Sequence, residues 1–253
     1  MLKQVFILIL MCTSCQVQNK SHSEEVFEHI EDKKARAIIQ RSIEDAGGLD
    51  KWRALKSIVF KKDFFLFDSS GTVDKRFKQE HNYSFSENRI SIRSQENQDI
   101  LFTTLVDSVY ARSKNGEELD LSQESLRKSI NSSTYVLGIP FKLIDSGADI
   151  SYLGEQVLNN RSVDVVQVSY DPAKHDNHSS KNVWKFYFDT SNGRIVANWI
   201  ESSDHFNIVE NLEYTRVNGL LFHKHRKSYR VNEKGEKLYL RAEYRYFDYT
   251  SEH

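Results

Sequence analysis

The sequence predicts a mainly β (α+β) fold: a long, curved antiparallel sheet with an N-terminal helix and a mid-chain helical insert. Three observations carry this. Eleven segments between residues 57 and 249 alternate in polarity or are dense in Val, Ile, Tyr and Phe. The intervals between most of them are short turn sequences, which permit hairpins and leave no room for crossover helices. Before residue 57 the apolar period is three to four residues, not two.

Taken in order, the chain opens on a targeting segment. Lys3 precedes the apolar run Val5 to Met11, which is too short to span a bilayer, since spanning takes ~20 residues. Thr13-Ser14 then precede Cys15, a pattern that resembles a bacterial lipoprotein signal with Cys12 where Leu is usual. The expectation is a signal peptide over 1–14, lipidation at Cys15 and a polar tether over 15–24. An ordinary signal peptide cut after Ser14 is the alternative. Either cut removes Lys3, so 35 Lys+Arg against 36 Asp+Glu becomes 34 against 36, a balance of −2. Cys12 leaves with the signal and Cys15 carries lipid, so the mature body has no free thiol, no disulfide and no Cys–metal site.

A single domain is expected over 25–253. From about Glu25 the spacing becomes helical, with Ala35, Ile38, Ile39, Ile43 and Ala46 on one stripe and Gly47-Gly48 as its stop. Leu49 to Leu55 reads as a further helical turn that carries Trp52 inward. Strand segments follow at 57–67, 73–80, 83–93 and 98–113. A polar helical stretch (Ser122 to Ile130) and an apolar insert (Tyr135 to Ile144) interrupt them, and strands resume at 150–157, 162–170, 182–189, 193–201, 205–216, 220–231 and 237–249. Alternation puts Trp184, Phe186 and Phe188 on one face, and Ile195, Ala197 and Trp199 on one face of the next strand. A sheet with one apolar face needs a cover, and the helices are the candidates.

The helix end Ala46-Gly47-Gly48, Trp52, Leu55 and the strand Ile58 to Phe60 resemble the opening of LolA/LolB-like lipoprotein-sorting proteins. Tyr152 to Glu155, Val163 to Tyr170, Trp184 to Asp189 with Gly193, and Tyr214 to Leu220 look like an uncharacterised Bacteroidota lipoprotein family related to that fold. The resemblance implies an unclosed antiparallel β-barrel, a half-barrel with helices as a lid over an apolar cavity that holds acyl chains. The sorting carrier is soluble, whereas an anchor at Cys15 favours a membrane-stationed role.

Candidate chemistry is sparse. His175-Asp176-Asn177-His178 groups two imidazoles and a carboxylate, but a polar loop supplies neither convergent ligands nor their support, so a solvated loop is expected. His223 and His225 share a strand face at period two, and Lys224, Arg226 and Lys227 beside them would repel a cation. The expected role of that face is solvent exposure, with contact to anionic headgroups. No Gly-x-Ser-x-Gly elbow and no phosphate-cradling Gly loop is present. Glu117, Glu118, Asp107, Asp145 and Asp149 sit near turns, where carboxylates are commonly structural. The basic and aromatic residues of 239–249 read as a sheet exterior, not a nucleic-acid surface.

The expectation is therefore a non-catalytic, lipid-anchored cell-envelope protein, placed at the outer membrane, that binds a lipid or acyl chain without metal or cofactor. Trp184, Phe186, Phe188 and Trp199 are its candidate cavity walls, with sealed core as the other reading. Val136, Leu137, Ile139 and Phe141 are its candidate lid, shaped by Gly138 and Pro140, with a core-packing plug as the other reading. The alternative function is an anchored interaction module that presents its sheet surface to a partner. An envelope hydrolase ranks third.

Overall fold

The computed structural model describes residues 26–145, 147–170, 183–202 and 204–253. Cys15, the tether and the His175 to His178 cluster lie outside them. The described residues form one antiparallel sheet of 13 strands that does not close into a barrel. Five strands and a short sixth come first: β1 (Ser57–Phe67), β2 (Val73–Ser84), β3 (Arg89–Glu96), β4 (Asp99–Val106), β5 (Val109–Lys114) and β6 (Glu117–Glu118). Helix α3 (Gln123–Gly138) and a 3₁₀ turn (Phe141–Ile144) then carry the chain to the opposite edge. From there β7 (Ala148–Leu158), β8 (Arg161–Tyr170), β9 (Val183–Asp189), β10 (Ile195–Glu201), β11 (Phe206–Val217), β12 (Leu220–Val231) and β13 (Lys237–Glu252) return to the middle. There β13 pairs with β1, and β6 and β7 are left as the two edges.

The turns explain where the strand boundaries depart from expectation. The segment 98–113 is two strands joined at Asp107-Ser108, both with positive φ (48° and 70°). A two-residue hairpin needs that conformation, usually from Asn or Gly, and here Asp-Ser supplies it without the usual signature. The segment 83–93 straddles a turn, because β2 runs on to Ser84 before β3 begins. The mid-chain insert is no separate unit: α3 runs from its Ser122 cap through Val136 and Leu137.

Helix α1 (Lys33–Asp45) starts later than its stripe suggested, because Asp32 caps it. One Asp32 carboxylate oxygen accepts from the Lys34 and Ala35 amides, and the other accepts from the Tyr152 amide of β7 at 2.8 Å. These amide donors, Tyr152 foremost, hold the Asp32 carboxyl below its usual range. Farther along α1, Arg41 donates to the Asp189 and Thr190 carbonyls, and Asp45 accepts from Arg194 and Arg216. The stripe Ala35, Ile38, Ile39 and Ile43 is buried in the main core with Ile58, Phe60, Val166, Val168, Phe186 and Phe188. Strands from β1 to β9 share that core although four strands lie between them, a separation of ~24 Å in a flat sheet. The sheet is therefore strongly curved around its helices.

Helix α2 (Leu49–Arg53) follows the Gly47-Gly48 stop. Gly47 has φ +114°, and a Cβ there would lie 2.4 Å from the Gly219 carbonyl oxygen of the β11–β12 turn. The same close approach lets the Leu221 amide donate to the Ala46 carbonyl at 2.9 Å. Gly47→Ala should lower stability by about 2 kcal/mol or more, read as a lower denaturant midpoint at unchanged slope. Gly71, at an open turn with nothing near its missing Cβ, is the control.

Candidate functional site

A cavity of about 260 Å³ lies between α3 and the helix-covered face of the sheet. Helix α3 contributes Ser132, Ser133, Val136 and Leu137, with Ile139 just beyond its end. The seam where the first and last strands meet contributes Phe60 and Lys62 from β1 and Tyr244, Tyr246 and Tyr249 from β13. His81 of β2, His223 and Arg226 of β12, Val209 of β11, Asn198 and Ile200 of β10 and Trp184 of β9 complete the wall. Exposed Ser132 marks where the cavity reaches the surface.

Irregularities in the strands decide which side chains arrive here. Alternation along β12 would have put His223 and His225 on one face. Instead the register slips between Glu213 and Tyr214 of β11, which pair with His225 and His223. His223 and Arg226 therefore face the cavity together. His225 turns outward to Glu243, 2.9 Å away. The expected solvated pair is thus a correction: His223 is buried and shares no face with His225. On β13, Asp248 has φ +54° opposite the register slip between Val59 and Lys61, so Tyr249 rejoins the face of Tyr244 and Tyr246.

The predicted wall residues separate. Trp184 lines the cavity. Phe186 and Phe188 are fully buried in the main core. Trp199 leaves that face, because the register slips between Ile195 and Ala197 and inverts the rest of β10. It joins Ala197, Ile208 and Val231 in a second cluster, under the Lys185 ammonium at 4.2 Å from its ring. Of the four predicted lid residues, Val136, Leu137 and Ile139 line the cavity. Phe141 stacks on Trp52, with ring centroids 4.7 Å apart, and anchors the far end of α3. The near end is pinned by Gln123, which accepts from the Tyr110 amide and donates to its carbonyl, and by Arg112, which donates to Ser129.

The wall holds more charge than an acyl-chain tunnel would need. Lys62 lies deep in the molecule with part of its surface open to the cavity, and it has no hydrogen-bond or ion-pair partner among the described residues. Its ammonium sits 5.5, 5.9 and 6.0 Å from the rings of Phe64, Tyr244 and Tyr246. Burial first, and the Arg226 charge second, push its pKa down to about 8. Arg226 is 5 % exposed and donates to two neutral oxygens, Asn211 Oδ1 at 2.8 Å and Asn198 Oδ1 at 3.2 Å. Both ring nitrogens of buried His223 lack a partner among the described residues. Burial, then Arg226, hold its pKa well below the usual value; burial and Lys62 do the same to His81. The Tyr244 hydroxyl is pushed up to about 12, mainly by burial. Among the described residues no three His, Cys, Asp or Glu side chains converge to hold a metal ion.

Lys62 could have been found in the sequence: it falls in phase with Ile58, Phe60 and Phe64, where a solvent-facing lysine does not belong. His81 stands in the same relation to Phe77 and Tyr83. Arg226 and His223 gave no such signal, because the register slip hides their common face.

Replacing His223 with Leu should raise stability by about 1–2 kcal/mol, since an unpartnered buried imidazole is exchanged for an apolar side chain. The unfolded chain protonates this histidine near pH 6.5 and the folded chain does not. Wild-type stability should therefore fall as pH drops below that value, by up to ~1.4 kcal/mol per pH unit for each such histidine. Denaturant titrations at pH 7.5 and 5.5 check both points, and His223→Leu should show the shallower decline.

The architecture matches known folds. A crystal structure of a candidate outer membrane lipoprotein-sorting protein domain from Vibrio parahaemolyticus superposes with a TM-score of 0.50 at 8% identity, covering 86% of this chain and 92% of that one. A LolA superfamily protein from Nitrosomonas europaea gives a TM-score of 0.50 at 10% identity, covering 87% and 94%. At such identities the likeness is one of fold. No protein of curated function matches the chain in sequence. A model described as a family of unknown function (DUF6503) matches residues 3–205.

Proposed function

The chain belongs to the DUF6503 family, and we propose that it is a non-catalytic ligand-binding protein of the cell envelope, held to a membrane through Cys15. The observation that carries the binding role is the cavity roofed by α3 on the helix-covered face of an open, curved sheet. Support for the envelope comes from the signal-like residues 1–14 and from the lipoprotein-sorting-like fold. No helix among the described residues is long and apolar enough to cross a membrane.

The ligand on this reading is a lipid or acyl chain, of which the cavity takes a part. Liquid water occupies ~30 Å³ per molecule, so about 260 Å³ has room for roughly nine non-hydrogen atoms. That is far less than a whole phospholipid. Each buried methylene adds ~0.8 kcal/mol, against the aliphatic and aromatic surfaces of Val136, Leu137, Ile200 and Trp184. Helix α3 serves as the lid, because among the described residues it is the element that covers this part of the sheet, and it is fastened mainly at its two ends.

A second reading, a module that meets a protein partner, draws on the edge strand β7, where Val157 is 77 % exposed and Leu153 44 %. Envelope pull-down with wild type and Val157→Lys separates the two, since a stoichiometric partner lost in that variant would favour the module.

Ile200→Trp should fill the cavity from β10. Delipidated wild-type protein is expected to take up the intrinsically fluorescent fatty acid parinaric acid saturably. Ile200→Trp should lose that uptake while keeping its thermal midpoint within a few degrees. Equal uptake by both proteins, or none by wild type, would refute the binding role of this cavity.

A further inference from the structure

Among the described residues the cavity wall contains two cations and no carboxylate. Neither Lys62 nor Arg226 has an ion-pair partner among the described residues, and no Asp or Glu borders the space. Other partly buried cations have a carboxylate close by, as with Arg194, 3.0 Å from Asp45, and Lys237, 2.7 Å from Glu210, or rest on neutral oxygens, as with Arg112 and Arg230. Taking an ion out of water costs several kcal/mol unless a counter-charge is supplied. Arginine cannot escape by losing its proton. The guanidinium is instead held in place by Asn211 and Asn198, and its Nη1 makes no hydrogen bond among the described residues. His223, 6 % exposed, adds two unpartnered ring nitrogens to the same wall. Among the described residues three neighbouring side chains thus keep unpartnered polar atoms: the Lys62 ammonium, Arg226 Nη1 and the His223 ring nitrogens.

We infer that this cavity is an oxyanion site, which takes a small organic monoanion with its carboxylate or phosphate between Lys62 and Arg226 and its apolar body against Trp184, Val136, Leu137 and Ile200. The inference rests on the ligand-binding reading above and names the ligand's chemistry. Guanidinium and ammonium groups both make charge-assisted hydrogen bonds to such an anion. The aromatic rings and aliphatic side chains around them suit a short acyl body and exclude a strongly hydrated one. A medium-chain fatty acid meets both conditions and the size limit of roughly nine atoms.

The charged and titratable neighbours set the pH response. Lys62 faces Arg226 and His223 of β12, His81 of β2 and the three tyrosines of β13, and the α3 residues on the wall are uncharged. The histidines stay neutral and the Tyr244 and Tyr249 hydroxyls stay protonated between pH 6 and 9. Lys62, near 8, is the group that changes. A bound anion favours its charged form, so affinity is flat below pH 7 and falls as pH rises through 8.

Calorimetric titration of the delipidated protein with octanoate, octan-1-ol and inorganic phosphate tests this. Octanoate should bind at least tenfold more tightly than octanol, and phosphate should bind more weakly than octanoate. Lys62→Met should weaken octanoate about tenfold and leave octanol unchanged, the loss of one charge-assisted bond. The thermal midpoint of that variant should not fall, because an unpaired buried charge has gone. Lys62→Arg should restore octanoate binding and abolish its decline above pH 8. Equal affinity for octanoate and octanol would overturn the anion site while leaving a hydrophobic-ligand role standing. Binding of neither would overturn both, and phosphate binding as tightly as octanoate would overturn the apolar body.

Discussion

The pairing of the first strand with the last is the constraint on which this structure depends. Strand β1 meets β13 over Ser57 to Leu66, and that single seam joins two meanders that otherwise run away from each other. Without it the chain would have two separate sheets, each with an unprotected edge. With it, one curved sheet wraps α1 and α3, and its free edges β6 and β7 are spanned by the α3 connection. The seam also places Phe64 beside Tyr244 and Lys62 beside Tyr246, and Lys62 and both tyrosines line the cavity.

The two halves of the interior are held by different means. Around α1 the apolar stripe is fully buried, and polar groups at both helix ends are paired: Asp32 with the β7 backbone, Asp45 with Arg194 and Arg216. That half is a sealed core in which Phe186 and Phe188 serve packing. Around α3 the packing stops short, and the polar groups that face the gap are under-supplied with partners. Interiors normally pack densely and satisfy their polar groups. A region that does neither, inside a protein whose described residues do both elsewhere, is the one that supports the proposed binding role.

Much of the architecture was legible locally. The α1 stripe with its Gly47-Gly48 stop and the period-two segments were read from residues a few positions apart, and most strands formed within two or three residues of expectation. The failures share one cause. The Asp107-Ser108 hairpin, the inverted face of Trp199, the parting of His223 from His225 and the return of Tyr249 all occur where regular alternation is interrupted. A bulge adds one residue to one strand and leaves no fixed sequence mark unless glycine fills it. Every face assignment beyond it is then reversed. Lys62 and His81 keep the regular phase of Phe60 and Tyr83 on their strands, so their inward placement is legible in the sequence.

What the sequence determined by itself was the fold class, the helix that covers the sheet, and an aromatic-rich, cysteine-free body behind a signal-like segment, because these follow from composition and from short-range periodicity. What only the tertiary structure decided was the character of the cavity. Lys62, Arg226 and His223 come from strands more than 150 residues apart in the chain, and they converge through the β1–β13 seam and through bulges on β11 and β13. Charge at a buried point depends on which side chains meet there and on which are left unpaired. Neither is a property of any local stretch of sequence.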